Sequence, residues 1–322
     1  MNQSPHIYPL YVPRFWRAYF VQMRPYLLFV SGIAGAAGVS MSYDPSPHPF
    51  KTIVALGIFF LGYGFGQALT DCFQTDTDKL SAPYRPLSRG IVSIRNVLIV
   101  SLSGLLLSGC LFYWFNPVCL GLSLGAVVGL ATYSYVKKNI PLGGPFYNAW
   151  IVALLPLMGY FVQLSPKIHQ FPIHLIPYLL VTLLSYANFV LIGYLKDIEA
   201  DRATGYKTFP VVFGWRRTVQ GGDLLVAVTL ACYWWQPGKD WHEISFGIAA
   251  SIIAVYGQFI AHTTKTKNEQ GALVPILATV RSFVLLHIAV VAHFQPGWWP
   301  AGILYYSLFE WALRQRPEKF QV

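Results

Sequence analysis

The sequence is dominated by long apolar runs that alternate with short polar stretches. An α-helix needs about 20 predominantly apolar residues to cross the hydrocarbon core of a bilayer, so each run predicts a membrane-crossing helix. The composition agrees, because 55% of the 322 residues are hydrophobic and only 11% are charged. We therefore predict an all-α integral membrane protein with nine transmembrane helices, near residues 26–43, 52–71, 96–115, 118–136, 146–164, 173–195, 219–235, 244–262 and 273–294.

One further apolar stretch, residues 298–313, is short and aromatic and carries Glu310. It raises the number of spans to ten if it crosses the bilayer, and otherwise it lies in the membrane interface. The chain is accordingly divided into three parts. These are an N-terminal cytoplasmic or interfacial segment (1–25), a transmembrane domain (26–295), and a C-terminal interfacial or transmembrane segment with a basic tail (296–322).

The net charge of +10 is explained by topology. With a cytoplasmic N-terminus, most of the 23 Lys and Arg residues fall in the N-terminal segment and the inner loops. The outer loops hold only Lys51, Lys167 and Lys239. This asymmetry is typical of the positive-inside rule and predicts the orientation. A nucleic-acid partner is not needed to explain the charge and is not expected, whereas membrane lipid is.

Six of the 13 acidic residues lie in two short stretches, after the second and the sixth predicted spans. Both stretches lie on the predicted cytoplasmic side. Solvated loop charges are the simpler interpretation, but acids at membrane-segment ends usually serve a function, because an unpaired buried carboxylate is costly. The acids are Asp71, Asp76 and Asp78 in the first stretch and Asp197, Glu199 and Asp201 in the second.

The spacing of these acids indicates a metal site. On continuing helices, Asp71, Gln74 and Asp78 would share one face, and so would Asp197 and Asp201. Two facing carboxylate clusters suit a hard cation, and Mg²⁺ fits best because it typically uses one or two carboxylates together with substrate phosphate oxygens. We therefore predict Mg²⁺ as the cofactor.

Basic residues surround each acidic cluster. This mixture suits a diphosphate, because Mg²⁺ leaves part of the diphosphate charge unbalanced and Arg or Lys can neutralise the remainder. A calcium-binding or purely structural role would explain the acids but not the basic loops. The basic residues are Arg85 and Arg89 after the first cluster, Lys196, Arg202 and Lys207 around the second, and Lys137 and Lys138 at the end of the fourth span.

These motifs resemble those of the UbiA superfamily of intramembrane prenyltransferases. The pattern N-D-x-x-D-x-x-x-D followed by R-P-L-x-x-G is similar to residues 70–78 and 85–90, and the pattern K/R-D-x-x-x-D-x-x-x-G-x-x-T matches residues 196–208. Arg24-Pro25 and Tyr133-Ser134 agree as well. The resemblance covers residues from about 20 to 295.

The resemblance implies a ring of nine helices around a central cavity, with two internal halves. It implies catalytic roles for Asp71, Asp78, Asp197 and Asp201, which would also be metal ligands. It further implies an isoprenyl diphosphate substrate bound by Arg24, Gln74, Arg85, Tyr133, Lys137, Lys138, Tyr194, Lys196 and Lys207.

The first motif departs from the family pattern at two positions. Thr70 stands where the family has Asn, and Gln74 stands where it has Asp, so one expected carboxylate is missing. Asp76 is the candidate replacement and the fifth predicted metal ligand. On a straight helix it lies about 140° around from Asp71, so it joins the site only if the helix ends or bends there.

Three functions are compatible with the sequence. The first is a Mg²⁺-dependent transferase that ionises an allylic isoprenyl diphosphate and passes the prenyl group to a lipophilic or aromatic acceptor. The second is a terpene cyclase of the UbiA type, in which the substrate's own double bond captures the cation. The third is a transporter or channel, for which charged mid-span residues would be expected; only Arg281 comes close.

Overall fold

The computed structural model describes residues 7–42, 49–164 and 173–316. Over these ranges all regular secondary structure is helical. Short 3₁₀ turns at Pro25–Leu27, Ile173–Leu175, Tyr194–Lys196 and Pro296–Trp298 precede or follow the longer helices. The α-helices are α1 Pro13–Gln22, α2 Leu28–Met41, α3 Pro49–Asp71, α4 Thr75–Ser81, α5 Ile94–Phe115, α6 Pro117–Asn139, α7 Gly143–Gln163, α8 Ile176–Gly193, α9 Ile198–Ala203, α10 Phe209–Trp234, α11 Trp241–Thr263, α12 Glu269–Phe294 and α13 Trp299–Arg314.

Among the described residues, seven helical segments are long and apolar enough to cross a membrane: α3, α5, α6, α7, α8 with its flanking turns, α11 and α12. The first predicted span, 26–43, corresponds to Pro25–Met41, which is apolar and helical but shorter than the seven. α10 is long enough but carries Arg216 and Arg217 in its first half and Asp223 just past its middle. The helical class is thus confirmed, while the counts of nine and ten spans stay predictions.

α2 and α12 form the centre of the bundle. α2 packs against α3, α7 and α12, and α12 also packs against α8, α11 and α13. Glycines allow the closest crossing, between α2 and α7: a Cβ on Gly38 would collide with the carbonyl oxygen of Pro156, and one on Gly159 with that of Gly35. Small residues are a common means of close helix approach in membranes.

α3, α5, α6, α7 and α8 enclose a cavity of about 210 Å³. Its polar end lies where α3 ends, at Asp71, and its walls further along the bundle include Ile58, Phe112 and Met158. The cavity is therefore surrounded mainly by helices of the first half of the chain.

Both acidic motifs lie at helix breaks. α3 ends at Asp71, and α4 begins at Thr75 after Gln74, whose φ and ψ are −125° and 22°. Asp197 precedes α9 in the same way, after the turn that follows α8. The expectation of continuing helices is therefore wrong. Acids in the first turn of a helix favour a new start, because they interact well with its dipole, and Asp76 and Asp78 occupy the first turn of α4.

α13 packs against the bundle through specific polar contacts. Arg281 Nε donates to Glu310 Oε1 at 2.6 Å, and Arg281 Nη2 donates to Glu310 Oε2 at 2.9 Å. The Tyr305 hydroxyl donates to the Phe29 carbonyl at 2.7 Å. The mid-span Arg281 thus has a structural partner, which removes the sequence feature that favoured a transporter.

Candidate active site

Asp71 accepts more side-chain hydrogen bonds than the other acids of the first motif, and only 2% of its surface is exposed. Arg24 Nη2 donates to both carboxylate oxygens, at 3.0 and 3.1 Å. Gln22 Nε2 donates to Oδ2 at 2.5 Å, and Gln67 Nε2 donates to Oδ1 at 2.7 Å. These four bonds stabilise the charged carboxylate and fix its orientation at the polar end of the cavity.

Arg85 joins the two acids of the first motif. Its Nη1 lies 2.7 Å from Asp78 Oδ2 and 3.8 Å from Asp71 Oδ1. Burial raises the pKa of the Asp78 carboxyl, and the charge of Arg85 opposes that shift. The buried Nε groups of Arg24 and Arg85 have no hydrogen-bond partner among the described residues. Two N–H donors are therefore left for an anion.

Lys137 connects the two motifs. Its Nζ donates to Gln74 Oε1 at 3.2 Å and lies 3.5 Å from Asp201 Oδ1. Asp201 is fully buried, and its Oδ2 accepts a hydrogen bond from the Thr208 hydroxyl at 3.0 Å. Burial raises the pKa of Asp201 to about 6, although the charge of Lys137 acts in the opposite direction. Gln74 therefore serves as a lysine acceptor in the place of the missing carboxylate.

Tyrosines complete the polar end of the cavity. The hydroxyl groups of Tyr133 and Tyr194 are 2.8 Å apart, and Lys137 Nζ lies 5.2 Å from the ring centre of Tyr194. Lys196 and Asp197 line the same cavity. The structure thus brings together ten of the predicted site residues as cavity lining: Arg24, Asp71, Gln74, Asp78, Arg85, Tyr133, Lys137, Tyr194, Lys196 and Asp197.

Four predicted residues lie outside this lining. Asp201 sits behind Lys137, as described above. Asp76 and Lys138 face each other near the surface, with Asp76 Oδ2 3.6 Å from Lys138 Nζ and side chains that are 48% and 44% exposed. Lys207 is exposed, and its backbone N–H donates to the Lys138 carbonyl at 2.9 Å. α3 ends before Asp76, and a ligand role for Asp76 required such a break. The Asp76 carboxylate nevertheless contacts Lys138 and the Tyr206 hydroxyl.

The carboxylates suit Mg²⁺ by donor chemistry, since all are oxygen ligands. Within the described ranges, however, no three acidic, His or Cys residues come close enough together to hold a metal by themselves. Instead, Arg24 pairs with Asp71, Arg85 with Asp78 and Lys137 with Asp201. Asp201 Oδ1 is buried and has no hydrogen-bond partner in the part of the chain that the structure describes, and Asp197 lies at the cavity wall. This arrangement fits a metal ion that is held by few carboxylates and completes its coordination with diphosphate oxygens.

Two functional candidates were missed from the sequence. Gln67 precedes Asp71 by four residues on α3, so its position on the same helix face was a usable signal. Gln22 had no such signal, because it lies on α1, 49 residues before Asp71. Its amide also links the motif to the following loop, since Gln22 Oε1 accepts from the Leu87 N–H at 3.2 Å.

Residues 31–275 match the sequence model of the UbiA prenyltransferase family. The chain belongs to the UbiA prenyltransferase family. It is therefore an integral membrane enzyme of the prenyl-transferring class, as the resemblance of its motifs indicated.

UbiA relatives with curated names are similar over most of the chain. The digeranylgeranylglyceryl phosphate synthase of Thermococcus kodakarensis is 28% identical over 216 residues, which are 67% of this chain and 76% of that protein. The synthase of the same name from Methanopyrus kandleri is 27% identical over 237 residues, 68% of this chain and 82% of that protein. These relatives do not favour the terpene-cyclase alternative.

Solved UbiA structures share the fold. A UbiA homolog from Aeropyrum pernix superposes with a TM-score of 0.68 at 17% identity and covers 86% of this chain and 96% of its own. A UbiA homolog from Archaeoglobus fulgidus bound to GPP and Mg²⁺ gives a TM-score of 0.62 at 18% identity and covers 84% and 99%. The helical arrangement is thus that of the family.

Proposed function

We propose that this protein is a Mg²⁺-dependent intramembrane prenyltransferase that ionises an allylic isoprenyl diphosphate and transfers the prenyl group to a lipophilic or aromatic acceptor. The observation that carries this proposal is the collection of buried acids and bases at one end of an otherwise largely apolar cavity. A diphosphate suits the polar end and a hydrocarbon chain suits the remainder.

Basic residues would bind the diphosphate. Arg24 and Arg85 each offer a buried Nε–H that pairs with no described residue, and Lys137 and Lys196 line the same space. Charge-assisted hydrogen bonds from Arg to phosphate oxygens are short and strong. Lys138 and Lys207 would assist from the rim if the loops close over the substrate. Tyr133 and Tyr194 would supply neutral hydroxyl donors.

Asp71, Asp78, Asp197 and Asp201 are the proposed metal ligands, with Asp76 as a peripheral candidate. Magnesium, when bound, would be held by these carboxylates together with phosphate oxygens of the substrate, and it would neutralise part of the diphosphate charge. Arg24, Arg85 and Lys137 now pair with the carboxylate oxygens that would bind the metal. When the metal binds, these three side chains would turn toward the diphosphate, and for Lys137 the oxygen that is released is the buried Oδ1 of Asp201.

The reaction divides into ionisation and capture. The C1–O bond of the substrate breaks, and its electron pair leaves with the diphosphate, whose developing charge the Arg and Lys side chains stabilise. The allylic cation remains beside the aromatic rings that line the cavity, Tyr63, Tyr133, Tyr186 and Tyr194, whose faces attract cations. A nucleophilic carbon or oxygen of the acceptor then bonds to C1 and releases a proton.

The relatives suggest which substrates to test first. The curated name digeranylgeranylglyceryl phosphate synthase denotes a product with geranylgeranyl groups on a glyceryl phosphate. The solved homologs from Archaeoglobus fulgidus bind DMAPP and GPP with Mg²⁺. We therefore include prenyl donors from five to twenty carbons and both lipid and aromatic acceptors among the candidates.

The topology of the proposed enzyme has nine or ten spans. α2 and α10 would cross with the seven apolar helices, since α2 is central and α10 packs against α8 and α11. α13 would form the tenth, because its contacts to α2 and α12 hold it along the bundle. The positive-inside rule then puts the active-site loops in the cytoplasm.

The decisive experiment uses membranes that contain the protein. They are incubated with allylic diphosphates of increasing length and Mg²⁺, with and without lipid and aromatic acceptors, and the products are identified by mass spectrometry. We expect prenylated acceptor that disappears with chelator. Asp240→Asn is the matched control for substitutions of the site acids, because Asp240 caps α11 and Asn can cap equally well. Cyclic hydrocarbon formed without acceptor would instead establish the cyclase.

A further inference from the structure

A second groove lies on the surface between α1 and the loop 82–92. It shares no lining residue with the active-site cavity. Its walls are formed by Tyr8, Arg14, Arg17, Ala18, Phe20, Val21, Pro83, Tyr84, Pro86, Arg89 and Ile91. Because Gln22 at the end of α1 contacts Asp71, the groove lies at the active-site end of the bundle.

The groove is positively charged and has no internal counter-charge. Arg14, Arg17 and Arg89 are exposed, and their side chains make no hydrogen bond or ion pair with any residue that the structure describes. No acidic residue is among the lining residues. The neighbouring Arg24 and Arg85, in contrast, are buried and paired with acids. Three unpaired arginines around one groove favour a phosphate, which Arg binds in a bidentate manner.

α1 has the character of an interfacial helix. Trp16 and Phe20 are about half exposed, at 51% and 52%, whereas Phe15 and Tyr19 are buried against the bundle. Exposed aromatic residues mixed with arginines are typical of helices at the level of the lipid headgroups. The groove therefore faces headgroups, and a phosphate that reaches it is most simply that of a membrane lipid.

The groove is connected to the active site through the loop. The Tyr8 N–H donates to the Ile91 carbonyl at 2.9 Å, and Gln22 accepts from the Leu87 N–H while it donates to Asp71. Tyr84 and Pro86 line the groove on either side of Arg85, whose side chain is bound to Asp78 on the other face of the loop. An occupant of the groove would thus hold the segment that positions Arg85.

We propose that the groove binds the phosphate headgroup of an anionic membrane lipid, which stabilises α1 and the loop 82–92 against each other. This site is distinct from that of the reacting substrates, and the proposal does not depend on which prenyl donor or acceptor the enzyme uses. Anionic lipids attract basic residues near the membrane surface, with an effect of about fivefold in affinity for each Arg or Lys.

The test measures thermal stability of the detergent-solubilised protein during titration with phosphatidylglycerol, phosphatidylcholine or inorganic phosphate, without Mg²⁺ or diphosphate. We expect phosphatidylglycerol alone to raise Tm in a saturable manner. Equal stabilisation by phosphatidylcholine would overturn the proposal, because charge would then be irrelevant. Equal stabilisation by inorganic phosphate would also overturn it, since the occupant would then be a free anion.

Matched variants locate the site. Arg14→Gln/Arg17→Gln/Arg89→Gln should abolish the stabilisation by phosphatidylglycerol. The control Arg95→Gln/Lys265→Gln/Lys267→Gln removes the same charge from exposed residues outside the groove and should keep it. If the triple groove variant does not fold, the single variants Arg17→Gln and Arg89→Gln should each raise the half-saturating lipid concentration by about fivefold. If the groove and control variants lose the same amount of stabilisation by phosphatidylglycerol, the lipid is attracted by overall positive charge, and the proposed site is refuted.

Discussion

Thr77 and Thr204 join the two acidic motifs through a hydrogen bond of 2.9 Å between their hydroxyl groups. Thr77 lies on α4 and Thr204 directly follows α9, so the bond holds together the two short helices that break off from α3 and α8. The motifs are far apart in the sequence, and side-chain contacts of this kind bring their acids to one end of the cavity.

The acids of the second motif should be indispensable for turnover. Asp197→Ala and Asp201→Ala are each expected to reduce prenyl transfer by a factor of 100 or more, on the order of 3 kcal/mol of transition-state stabilisation, while the protein stays inserted and folded. The measurement is product formation in membranes, with Asp240→Asn as control. Activity near that of the wild type in either variant would refute the metal assignment.

Lys137 should be important for both stability and activity. Lys137→Met leaves Asp201 buried without its cation, and breaking a buried ion pair from one side costs about 3–5 kcal/mol. The double variant Lys137→Met/Asp201→Asn should recover much of this loss, because neither charge remains, yet stay inactive. Thermal unfolding and product formation measure the two effects. A double variant as unstable as the single one would show that the pair is not coupled.

Asp76 and Asp78 should differ in importance. Asp78 lines the cavity beside Arg85, whereas Asp76 is half exposed beside Lys138. We expect Asp78→Asn to abolish turnover and Asp76→Asn to change it less than about threefold. The dependence of the rate on Mg²⁺ concentration measures both. If Asp76→Asn is as damaging as Asp78→Asn and Gln74→Asp partly restores it, Asp76 moves into the site when substrate binds.

Metal and diphosphate should bind as one unit. A non-hydrolysable farnesyl or geranylgeranyl thiodiphosphate should raise Tm only with Mg²⁺, by an amount equivalent to about 2.7 kcal/mol at 100 times its Kd. Arg85→Ala should weaken this stabilisation, since it removes an anion partner without removing a carboxylate. Equal stabilisation in excess chelator, or by the prenyl alcohol alone, would show that the acids do not form a diphosphate site.

The apolar end of the cavity should limit the length of the prenyl chain. Ile58 and Asp71 both line it and are 13 residues apart on α3, which corresponds to a depth of about 20 Å. Phe59 and Phe112 meet near that end, with ring centres 4.8 Å apart. Phe112→Ala should shift the preference toward longer diphosphates in competition assays, and Trp114→Ala, exposed on the same helix, should not.

The sequence predicted the helical class. Of the ten site residues that line the cavity, the two acidic motifs contain six: Asp71, Gln74, Asp78, Arg85, Lys196 and Asp197. The pattern of basic residues added Lys137, and the family resemblance added Arg24, Tyr133 and Tyr194. The sequence did not predict the helix breaks inside the motifs, because the end of an apolar run near Asp71 marks the end of a membrane span and does not show that the backbone at Gln74 leaves the helical conformation. It also did not predict Gln22. A contact between elements 49 residues apart depends on packing, and local periodicity carries no information about it.

The three-residue gap between α3 and α4, Cys72–Gln74, separates two kinds of mechanical support. Asp71 belongs to a long helix fixed in the bundle, while Asp78 belongs to a seven-residue helix attached mainly through side chains. A change in the length of the gap would therefore alter the distance between the carboxylates, while Asp71 stays fixed by α3. Evolution, or a designer, could thus change the separation of the two carboxylates by altering a three-residue segment that lies outside the long helices.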